Sequence, residues 1–207
     1  MLRALEDALM PRCCAFCGTR TRDDEDQVCD GCMNDLPWVA SQPTQAPFIQ
    51  FVAPLAYEFP VDAAIKALKF RRRLSYGPAL AQLLRSVCTE LPADIDAILP
   101  VPLHWRRHWW RGFNQALEIA RPLAKQLGVP VIRSVKRRRA TAPQSGLTAA
   151  ERANNLRAAF AVRGAIRHRH VVIVDDVITT GATVRQLART LRQAGVKRVS
   201  ALAVARA

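Results

Sequence analysis

The segment VVIVDDVITTGATV, residues 171–184, decides the fold of this chain. Its first four residues form an unbroken β-branched run that is typical of a central parallel strand. Two adjacent acids, Asp175 and Asp176, follow at the expected strand end, and a turn rich in hydroxyl groups leads into a helix. Because ligands of open α/β sheets bind at the carboxyl ends of the strands, this order of elements predicts a ligand site.

The turn has the chemistry of a phosphate site. Backbone N–H groups in a turn and at a helix N-terminus can surround a phosphate, and a glycine allows close approach. The residues that would contribute are Thr179, Thr180, Gly181, Ala182 and Thr183. The neighbouring carboxylates would repel a phosphate unless they face a sugar diol, or Mg²⁺ bridging to it. The alternative is an ordinary threonine helix cap beside a solvated strand end.

Strand-like and helix-like patterns alternate on both sides of this segment. Helical spacing occurs over 61–68, 80–87, 113–127 and 184–191, and strand-like runs occur over 48–59, 95–101, 129–135 and 199–204. The alternation predicts an α/β domain with a mostly parallel sheet flanked by helices. Residues 136–150 are basic and then turn-rich, which predicts an exposed loop.

Two C-x2-C pairs near the N-terminus offer four thiolates, the ligand set of a tetrahedral zinc site. The expected ligands are Cys14, Cys17, Cys29 and Cys32, and the adjacent Cys13 could replace Cys14. Four protein ligands leave no open position for chemistry, so the predicted zinc is structural. The alternative is a set of free or redox-active thiols. Prolines after this segment predict a boundary between a zinc-binding knuckle-like domain, 1–42, and an α/β domain, 43–207.

The charge of the chain is unevenly distributed around a formal net charge of +14. Residues 1–50 hold 4 basic and 8 acidic residues, net −4, whereas residues 51–207 hold 27 and 9, net +18. A basic body indicates a polyanionic partner such as nucleic acid or a phosphorylated small molecule. The sequence contains no run of about 20 apolar residues, the length that a membrane-spanning helix needs. The start of the sequence lacks a signal-peptide core, so a cytoplasmic location is expected.

The basic segment HWRRHWWR, residues 104–111, contains three of the four tryptophans. Aromatic side chains beside cations suit single-stranded nucleic acid, because every base offers a face for stacking. The alternative is a loop whose tryptophans pack on the sheet while its arginines face solvent. Two further basic runs, 71–73 and 136–139, favour a polyanion partner.

The segment 171–184 resembles the signature of type I phosphoribosyltransferases, which bind 5-phosphoribosyl-1-diphosphate (PRPP). Further motifs are similar, in order along the chain, to those of the competence protein F (ComF) family. After the cysteine pairs come Leu68-Lys69-Phe70, Pro100-Val101-Pro102-Leu103, Arg111-Gly112-Phe113-Asn114-Gln115, Gln144-x2-Leu147 and Glu151-Arg152-x2-Asn155. The resemblance therefore extends over nearly the whole chain.

The resemblance implies roles for particular residues. Asp175 and Asp176 would take the ribose hydroxyls with Mg²⁺, and residues 179–183 would hold the 5′-phosphate. The turn containing Pro102 and Leu103 would lie on the diphosphate side, where Lys69 and Arg111 are candidate partners by charge. Residues 137–152 match the mobile hood over the active site of such enzymes.

The resemblance implies a protein that binds PRPP or ribose 5-phosphate with Mg²⁺ and handles single-stranded DNA in natural transformation, with a helicase or channel for DNA uptake as a candidate partner. An alternative is an active phosphoribosyltransferase, a glycosyltransferase, acting on an unknown nitrogen acceptor. A further alternative is a PRPP sensor that controls DNA binding. The sequence shows no identifiable acceptor pocket and no glutaminase nucleophile, so it favours PRPP binding over turnover.

Overall fold

The structure of the chain is a computed structural model that describes residues 13–22, 26–40, 47–48, 50–138 and 159–207, with only the backbone given for 106–108. Its helices are α1 (Asp30–Asp35), α2 (Val61–Arg71), α3 (Tyr76–Arg85), α4 (Trp105–Arg111), α5 (Gln115–Leu127) and α6 (Ala182–Gln193). Its strands are β1 (Phe51–Val52), β2 (Leu55–Ala56), β3 (Ala97–Pro100), β4 (Val135–Arg137), β5 (Phe160–Val162), β6 (His170–Ile178) and β7 (Arg198–Arg206). No helix in these ranges is long and apolar enough to cross a bilayer.

The main sheet is parallel throughout, as the alternating pattern predicts. Its strand order is β1-β7-β6-β3, and β2 pairs with β7 beyond β1. Strand β6 therefore lies between two partners, with Pro100 of β3 opposite Val174 and Ala203 of β7 opposite Asp175. Strands β4 and β5 form a separate antiparallel pair. The carboxyl ends of β3 and β6 consequently meet at one edge of the sheet.

The expectation that the central strand ends at the acids is wrong. Strand β6 continues through Asp175 and Asp176 to Ile178, because β7 stays paired with it as far as the contact of Ile178 with Arg206. The acids therefore belong to the strand itself, and their backbone is fixed by the ladder.

Two other expected strands differ from the structure. Among the described residues of the run 48–59, only the two-residue segments β1 and β2 are strands, because Pro54 lies between them and cannot donate to the ladder. In the run 129–135, only Val131 forms a bridge, to Ile98, before the chain leaves the sheet and pairs with β5. By contrast, α5 ends as expected, because Gly128 adopts a left-handed φ of 67°.

Both faces of the sheet are covered by apolar side chains, as expected for a parallel sheet. The alternating side chains of β6 divide between the two faces. Val172 and Val174 face α2, α3 and α5, whereas Val171 and Ile173 face α6 and β5. All four are fully buried. Each such burial contributes roughly 1.5–3 kcal/mol, so the strand that carries the acids is also a centre of the core.

The cysteine-bearing segment packs directly on the α/β body. Val28 and Leu36 belong to the same apolar core as α3. The Gln82 side chain of α3 accepts hydrogen bonds from the backbone N–H groups of Gln27 (2.6 Å) and Val28 (3.1 Å) and donates to Asp26 (2.9 Å). One side chain thus satisfies several polar groups at this junction. The boundary at residue 42 stays a prediction, since 41–46 lie outside the described residues.

A buried polar network joins the amino ends of β6 and β7. His170 is fully buried, with Nδ1 2.9 Å from the Asp94 carboxylate and Nε2 2.9 Å from the Ser200 hydroxyl. The order Asp–His–Ser resembles a hydrolase triad, but Ser200 is completely buried, so no substrate can reach it. The network is therefore structural. The hydrogen bond with His170 lowers the pKa of Asp94.

Replacing Asp94 with Asn is expected to destabilise the fold in a pH-dependent manner. The Asp94 pKa in the folded state lies below its ordinary value of 3.8, so its charge stabilises the fold above that pH and ceases to do so as the pH falls through the folded-state pKa. The midpoint of urea denaturation should fall at neutral pH, and the difference from wild type should shrink in acid. Glu58→Gln, at an exposed carboxylate, is the control. An equal loss at both pH values would contradict a role for the Asp94 charge.

Candidate functional site

The four expected zinc ligands meet in the structure. The Sγ atoms of Cys14, Cys17, Cys29 and Cys32 all lie within 4.8 Å of one another. The Cys17 and Cys29 Sγ atoms are 3.6 Å apart. A tetrahedral site with Zn–S distances of about 2.3 Å requires about 3.8 Å between sulfurs, so this thiol set fits zinc. Cys13 is exposed and does not belong to the group.

The local backbone explains how the thiols converge. The Gly18 N–H donates to the Cys14 carbonyl at 2.9 Å, which closes a tight turn around the first pair. Gly18 has a φ of 76°, which an L side chain rarely adopts. The second pair begins at Cys29, the residue before α1, and the Met33 N–H donates to its carbonyl at 2.9 Å. The two turns therefore direct both pairs towards one point.

The thiols have divergent acidities. Hydrogen bonds from the Thr19 side chain and backbone lower the pKa of Cys17 to about 6. Burial and the neighbouring thiols raise the pKa of Cys32 above its ordinary value. Four adjacent thiolates repel one another without a cation, so binding of a divalent metal ion would release protons.

The acid pair occupies the carboxyl half of β6. Asp176 is only 3% exposed, and its Oδ1 accepts from Lys69 Nζ at 3.0 Å and from the Val177 N–H at 2.7 Å. Its Oδ2 is buried and has no hydrogen-bond partner among the described residues. A buried carboxylate oxygen without a donor is costly. This atom is therefore available to a ligand that brings a donor.

Asp175 differs electrostatically from Asp176. Burial and the adjacent Asp176 carboxylate raise the pKa of Asp175 to about 8, against the opposing charges of Lys69 and Arg137. Because the ion pair of Lys69 is with Asp176, the two neighbouring acids favour a further cation or a hydrogen-bond donor. A metal ion bound to a sugar diol has both properties.

Lys69 lies next to the acid pair, in a contact with Asp176 that the sequence did not indicate. It was expected to contact diphosphate, and in the structure its ammonium pairs with Asp176. Its side chain is 17% exposed, so this ion pair is largely shielded from water. Lys69 therefore supplies the positive charge that faces the Asp176 carboxylate.

The predicted phosphate turn follows β6 directly. Gly181 precedes α6 with a φ of 69°, so the turn needs a residue that tolerates the left-handed region. The Thr180 hydroxyl accepts from the Ala182 N–H over a long 3.4 Å, which makes it a weak helix cap. Thr179 and Thr180 are exposed. The turn thus presents hydroxyl and N–H groups to solvent at the end of β6.

Arg185 is a residue of this turn that sequence reasoning missed. Its guanidinium donates to the Thr180 carbonyl. A Cβ atom at Gly181 would come within 3.0 Å of the same guanidinium. The arginine therefore lies over the turn and adds a cation beside the expected phosphate position. Its location four residues after Gly181, one helical turn away, was the available signal.

The turn at residues 100–103 is held against β6 from two sides. The Val101 N–H donates to the Val174 carbonyl at 2.9 Å. The Asn114 side chain donates to the Val101 carbonyl at 3.0 Å and accepts from the Ala116 N–H at 3.1 Å, so it also caps α5. One asparagine thus fixes both the turn and the start of a helix. Pro102 and Leu103 lie on this turn, beside the carboxyl end of β6.

The Leu68-Lys69-Phe70 motif and the motif that begins at Arg111 meet at the end of α2. The Arg111 guanidinium lies 5.1 Å from the ring centre of Phe70 and donates to the Gln115 side chain at 3.2 Å. Arg111 is therefore placed next to the helix end that carries Lys69. Its expected contact with diphosphate stays a prediction.

The predicted hood falls mostly on residues 139–158, which lie outside the described residues, as do Gln144, Leu147, Glu151, Arg152 and Asn155. The two chain segments that flank it, β4 and β5, are paired. Arg137 at the end of β4 lies 5.6 Å from the ring centre of Phe160 in β5. The predicted hood therefore begins and ends at the antiparallel pair of β4 and β5, where the charge of Arg137 acts on Asp175.

The three clustered tryptophans are exposed on a helix, so the alternative of a loop with tryptophans packed on the sheet is wrong. Trp105, Trp109 and Trp110 belong to α4 and are 63%, 89% and 72% exposed. Trp105 and Trp109 are four residues apart and therefore share one side of the helix. Large exposed aromatic side chains of this kind indicate a binding surface.

Comparison with known proteins identifies the domain and the relatives to which the chain is similar. Residues 114–207 match the family model for the phosphoribosyl transferase domain. Among solved structures, orotate phosphoribosyltransferase from Aeropyrum pernix is 25% identical, with a TM-score of 0.41, over 65% of this chain and 63% of its own. Glutamine PRPP amidotransferase from B. subtilis is 21% identical, with a TM-score of 0.47, over 68% of this chain and 30% of its own.

The matched domain and the parallel sheet with its acid-bearing strand define a protein with a type I phosphoribosyltransferase fold. Among curated proteins, DNA utilization protein YhgH of Shigella flexneri is 37% identical over 90% of this chain and 86% of its own length. Competence protein F of Haemophilus influenzae is 36% identical over 73% of this chain and 70% of its own length. The chain belongs to the family of these proteins, the ComF/YhgH family, which confirms the resemblance.

Replacing Cys14 with Ser is expected to remove bound zinc, whereas Cys13→Ser should leave it. The reason is that Cys14 supplies one of the four converging sulfurs and Cys13 does not. Zinc content per chain, measured by atomic absorption on purified protein, should be about one for wild type and Cys13→Ser. Because Val28 in the same segment packs in the core of the body, Cys14→Ser should also lower the melting temperature of the whole protein. Retention of zinc by Cys14→Ser would contradict this ligand set.

Proposed function

We propose that this protein binds PRPP, or the related ribose 5-phosphate, at the acid pair and the following turn. The observation that carries the proposal is the buried Oδ2 of Asp176, an acceptor without a donor among the described residues. A ribose hydroxyl supplies that donor. The turn at 179–183 lies directly after the same strand, so the 5′-phosphate would reach its N–H and hydroxyl groups. Arg185 would add a positive charge there.

Mg²⁺ fits the same arrangement as a partner of the ligand. It prefers oxygen ligands and usually binds through one or two carboxylates together with substrate oxygens. Asp175 supports this role because the Asp176 carboxylate acts on it electrostatically, and Lys69, which pairs with Asp176, supplies a positive charge near the two acids. The diphosphate would then lie towards the 100–103 turn, with Lys69 and Arg111 near it.

Titration calorimetry with PRPP and Mg²⁺ tests this site. Wild type should bind, and Asp175→Asn/Asp176→Asn should bind at least about ten-fold more weakly, because the hydroxyl and Mg²⁺ acceptors lose their charge. Asp62→Asn, at the opposite end of α2, is the control for loss of a carboxylate. Absence of PRPP binding by folded, zinc-loaded wild type would refute the proposal.

The basic and aromatic surface supports a second partner, single-stranded DNA. Trp105 and Trp109 are exposed on one side of α4, where bases could stack on them. The relatives named for DNA utilization and competence favour a role in handling DNA during uptake. The proposed arrangement is therefore an α/β body that binds PRPP and a face of α4 that binds single-stranded DNA. A partner in the uptake machinery, a helicase or channel, is part of the same proposal.

Replacing Trp109 with Ala should weaken binding of an oligothymidylate by roughly 5–100-fold, the loss of one base–aromatic stacking interaction. Phe59→Ala is the matched control, since Phe59 is 82% exposed but lies two residues before α2, outside the basic segment. Fluorescence anisotropy over a salt series is the measurement. Equal affinities for wild type and Trp109→Ala would contradict stacking on α4.

The alternative function, transfer of the phosphoribosyl group to a nitrogen acceptor, would use the same residues. The cations around the site would stabilise the departing diphosphate. Diphosphate release that depends on an added acceptor, and is absent from Asp175→Asn/Asp176→Asn, would distinguish transfer from binding alone.

A further inference from the structure

Several cations lie at the amino end of the sheet, which is the end opposite the acid pair. Arg169 directly precedes β6, and Arg198 is the first residue of β7. Because a strand rises by about 3.3 Å per residue, Arg169 lies roughly 20 Å from Asp175 along β6. This end of the molecule is therefore a surface separate from the proposed PRPP site.

Hydrogen bonds bring the cations of three segments together. The Arg169 carbonyl accepts from the backbone N–H groups of Lys197 at 3.0 Å and Arg198 at 2.8 Å. The guanidinium of Arg192, in the last turn of α6, donates to the Lys197 carbonyl. Arg167 lies two residues before Arg169 on the same loop. We call this group the amino-end patch: Arg167, Arg169, Arg192, Lys197 and Arg198.

The two carboxylates next to the amino-end patch are held by internal partners. Asp96 accepts from the backbone N–H groups of Arg169 at 2.7 Å and His170 at 3.2 Å. Asp94 lies 2.9 Å from the buried His170 ring and pairs with Arg198. These acids therefore fix the loops that carry the patch, and only Arg198 is neutralised by one of them.

Three cations of the amino-end patch direct their charge to solvent. Arg167, Arg169 and Lys197 are exposed, and none of them forms an ion pair with a carboxylate of the residues that the structure describes. A guanidinium can bind two oxygens of one phosphate, and an ammonium binds phosphate as a point charge. The patch therefore suits phosphate groups.

The amino-end patch lacks large apolar side chains. The loops 163–169 and 194–197 contain no phenylalanine, tyrosine or tryptophan. Of the large apolar side chains that are exposed in the described ranges, none lies in these loops or in the last turn of α6. Protein interfaces depend on such anchors, and single-stranded nucleic acid needs faces for stacking. A phosphodiester backbone needs neither, because it is bound through its charges.

We propose that the amino-end patch binds the phosphate backbone of double-stranded DNA. A duplex carries one charge per about 1.7 Å of its axis, twice the density of either strand alone, so a compact group of cations meets more phosphates on a duplex. Phosphate contacts carry no sequence information, so this binding is independent of sequence. The protein would then hold a duplex at one end of the sheet and a single strand on α4. Duplex binding depends neither on the PRPP site nor on stacking.

Fluorescence anisotropy with a short labelled duplex of mixed sequence, measured over a salt series, tests the proposal. Arg167→Gln/Lys197→Gln should bind about ten-fold more weakly than wild type at about 50 mM salt. The plot of log affinity against log salt should also become shallower by about 1.8, because each lost phosphate contact removes about 0.9 from its slope. Both changes are at exposed side chains, and the melting temperature checks that the fold is intact.

The matched control is Arg22→Gln/Lys66→Gln, which removes one arginine and one lysine from another surface. Both side chains are exposed, on the cysteine-bearing segment and on α2, and these pack on the face of the sheet opposite α6. This variant loses the same net charge and should bind the duplex like wild type. The comparison therefore separates a local site from the general positive field of the protein.

An oligothymidylate on the same variants separates the duplex site from α4. Arg167→Gln/Lys197→Gln should bind it like wild type, and Trp109→Ala should bind the duplex like wild type, since Trp109 lies on α4. The proposal is overturned if wild type does not bind the duplex at low salt, or if Arg167→Gln/Lys197→Gln loses duplex and oligothymidylate equally. Vesicles containing phosphatidylglycerol are the last probe. A variant that loses vesicle binding but keeps its duplex affinity would assign the patch to a membrane surface and overturn the proposal as well.

Discussion

The pairing of β6 with β3 on one side and β7 on the other is the constraint on which the site depends. It fixes the backbone of Asp175 and Asp176 in a buried ladder, where Asp176 is 3% exposed. A carboxylate at such a position costs several kcal/mol unless a cation accompanies it. Lys69 supplies that cation from the end of α2 at 3.0 Å. The helix end, and with it Phe70 and Arg111, is therefore drawn to the edge of the sheet.

The same constraint explains why the neighbouring motifs are close together. Because β3 is parallel to β6 and in register with it, the 100–103 turn emerges beside the acids. Asn114 then joins that turn to α5, because its side-chain nitrogen donates to the turn and its side-chain oxygen accepts from the helix. Motifs that are distant in the sequence thus meet through one ladder and one asparagine. The site is built from the ends of regular elements, which is how a parallel sheet positions polar groups without unpaired backbone atoms.

The sequence allowed the class of fold and the cluster of four thiols to be predicted, because each has a local pattern. The phosphate-binding role of the turn at 179–183 stays a prediction. The sequence did not allow the end of β6 to be predicted, since that end depends on how far β7 stays paired. The pairing of Lys69 with Asp176 joins residues more than 100 positions apart, which no local pattern can indicate. The exposure of Trp105 and Trp109 depends on α4 forming a helix, and the run of aromatic and basic residues alone was equally consistent with a loop.

The strongly basic body and the acidic pair within it have separate physical roles. Of the residues 98–207, 21 are basic and only 4 are acidic, and two of those acids are Asp175 and Asp176. The positive field of these residues raises the local concentration of any polyanion, so it cannot by itself distinguish one polyanion from another. Selection requires a short-range interaction, and the buried Oδ2 of Asp176 accepts only from a donor. A fully ionised phosphate has none, whereas a ribose phosphate brings hydroxyl donors and the anion together. In the proposed site the acids would therefore discriminate between ligands, whereas the surrounding cations would only attract them.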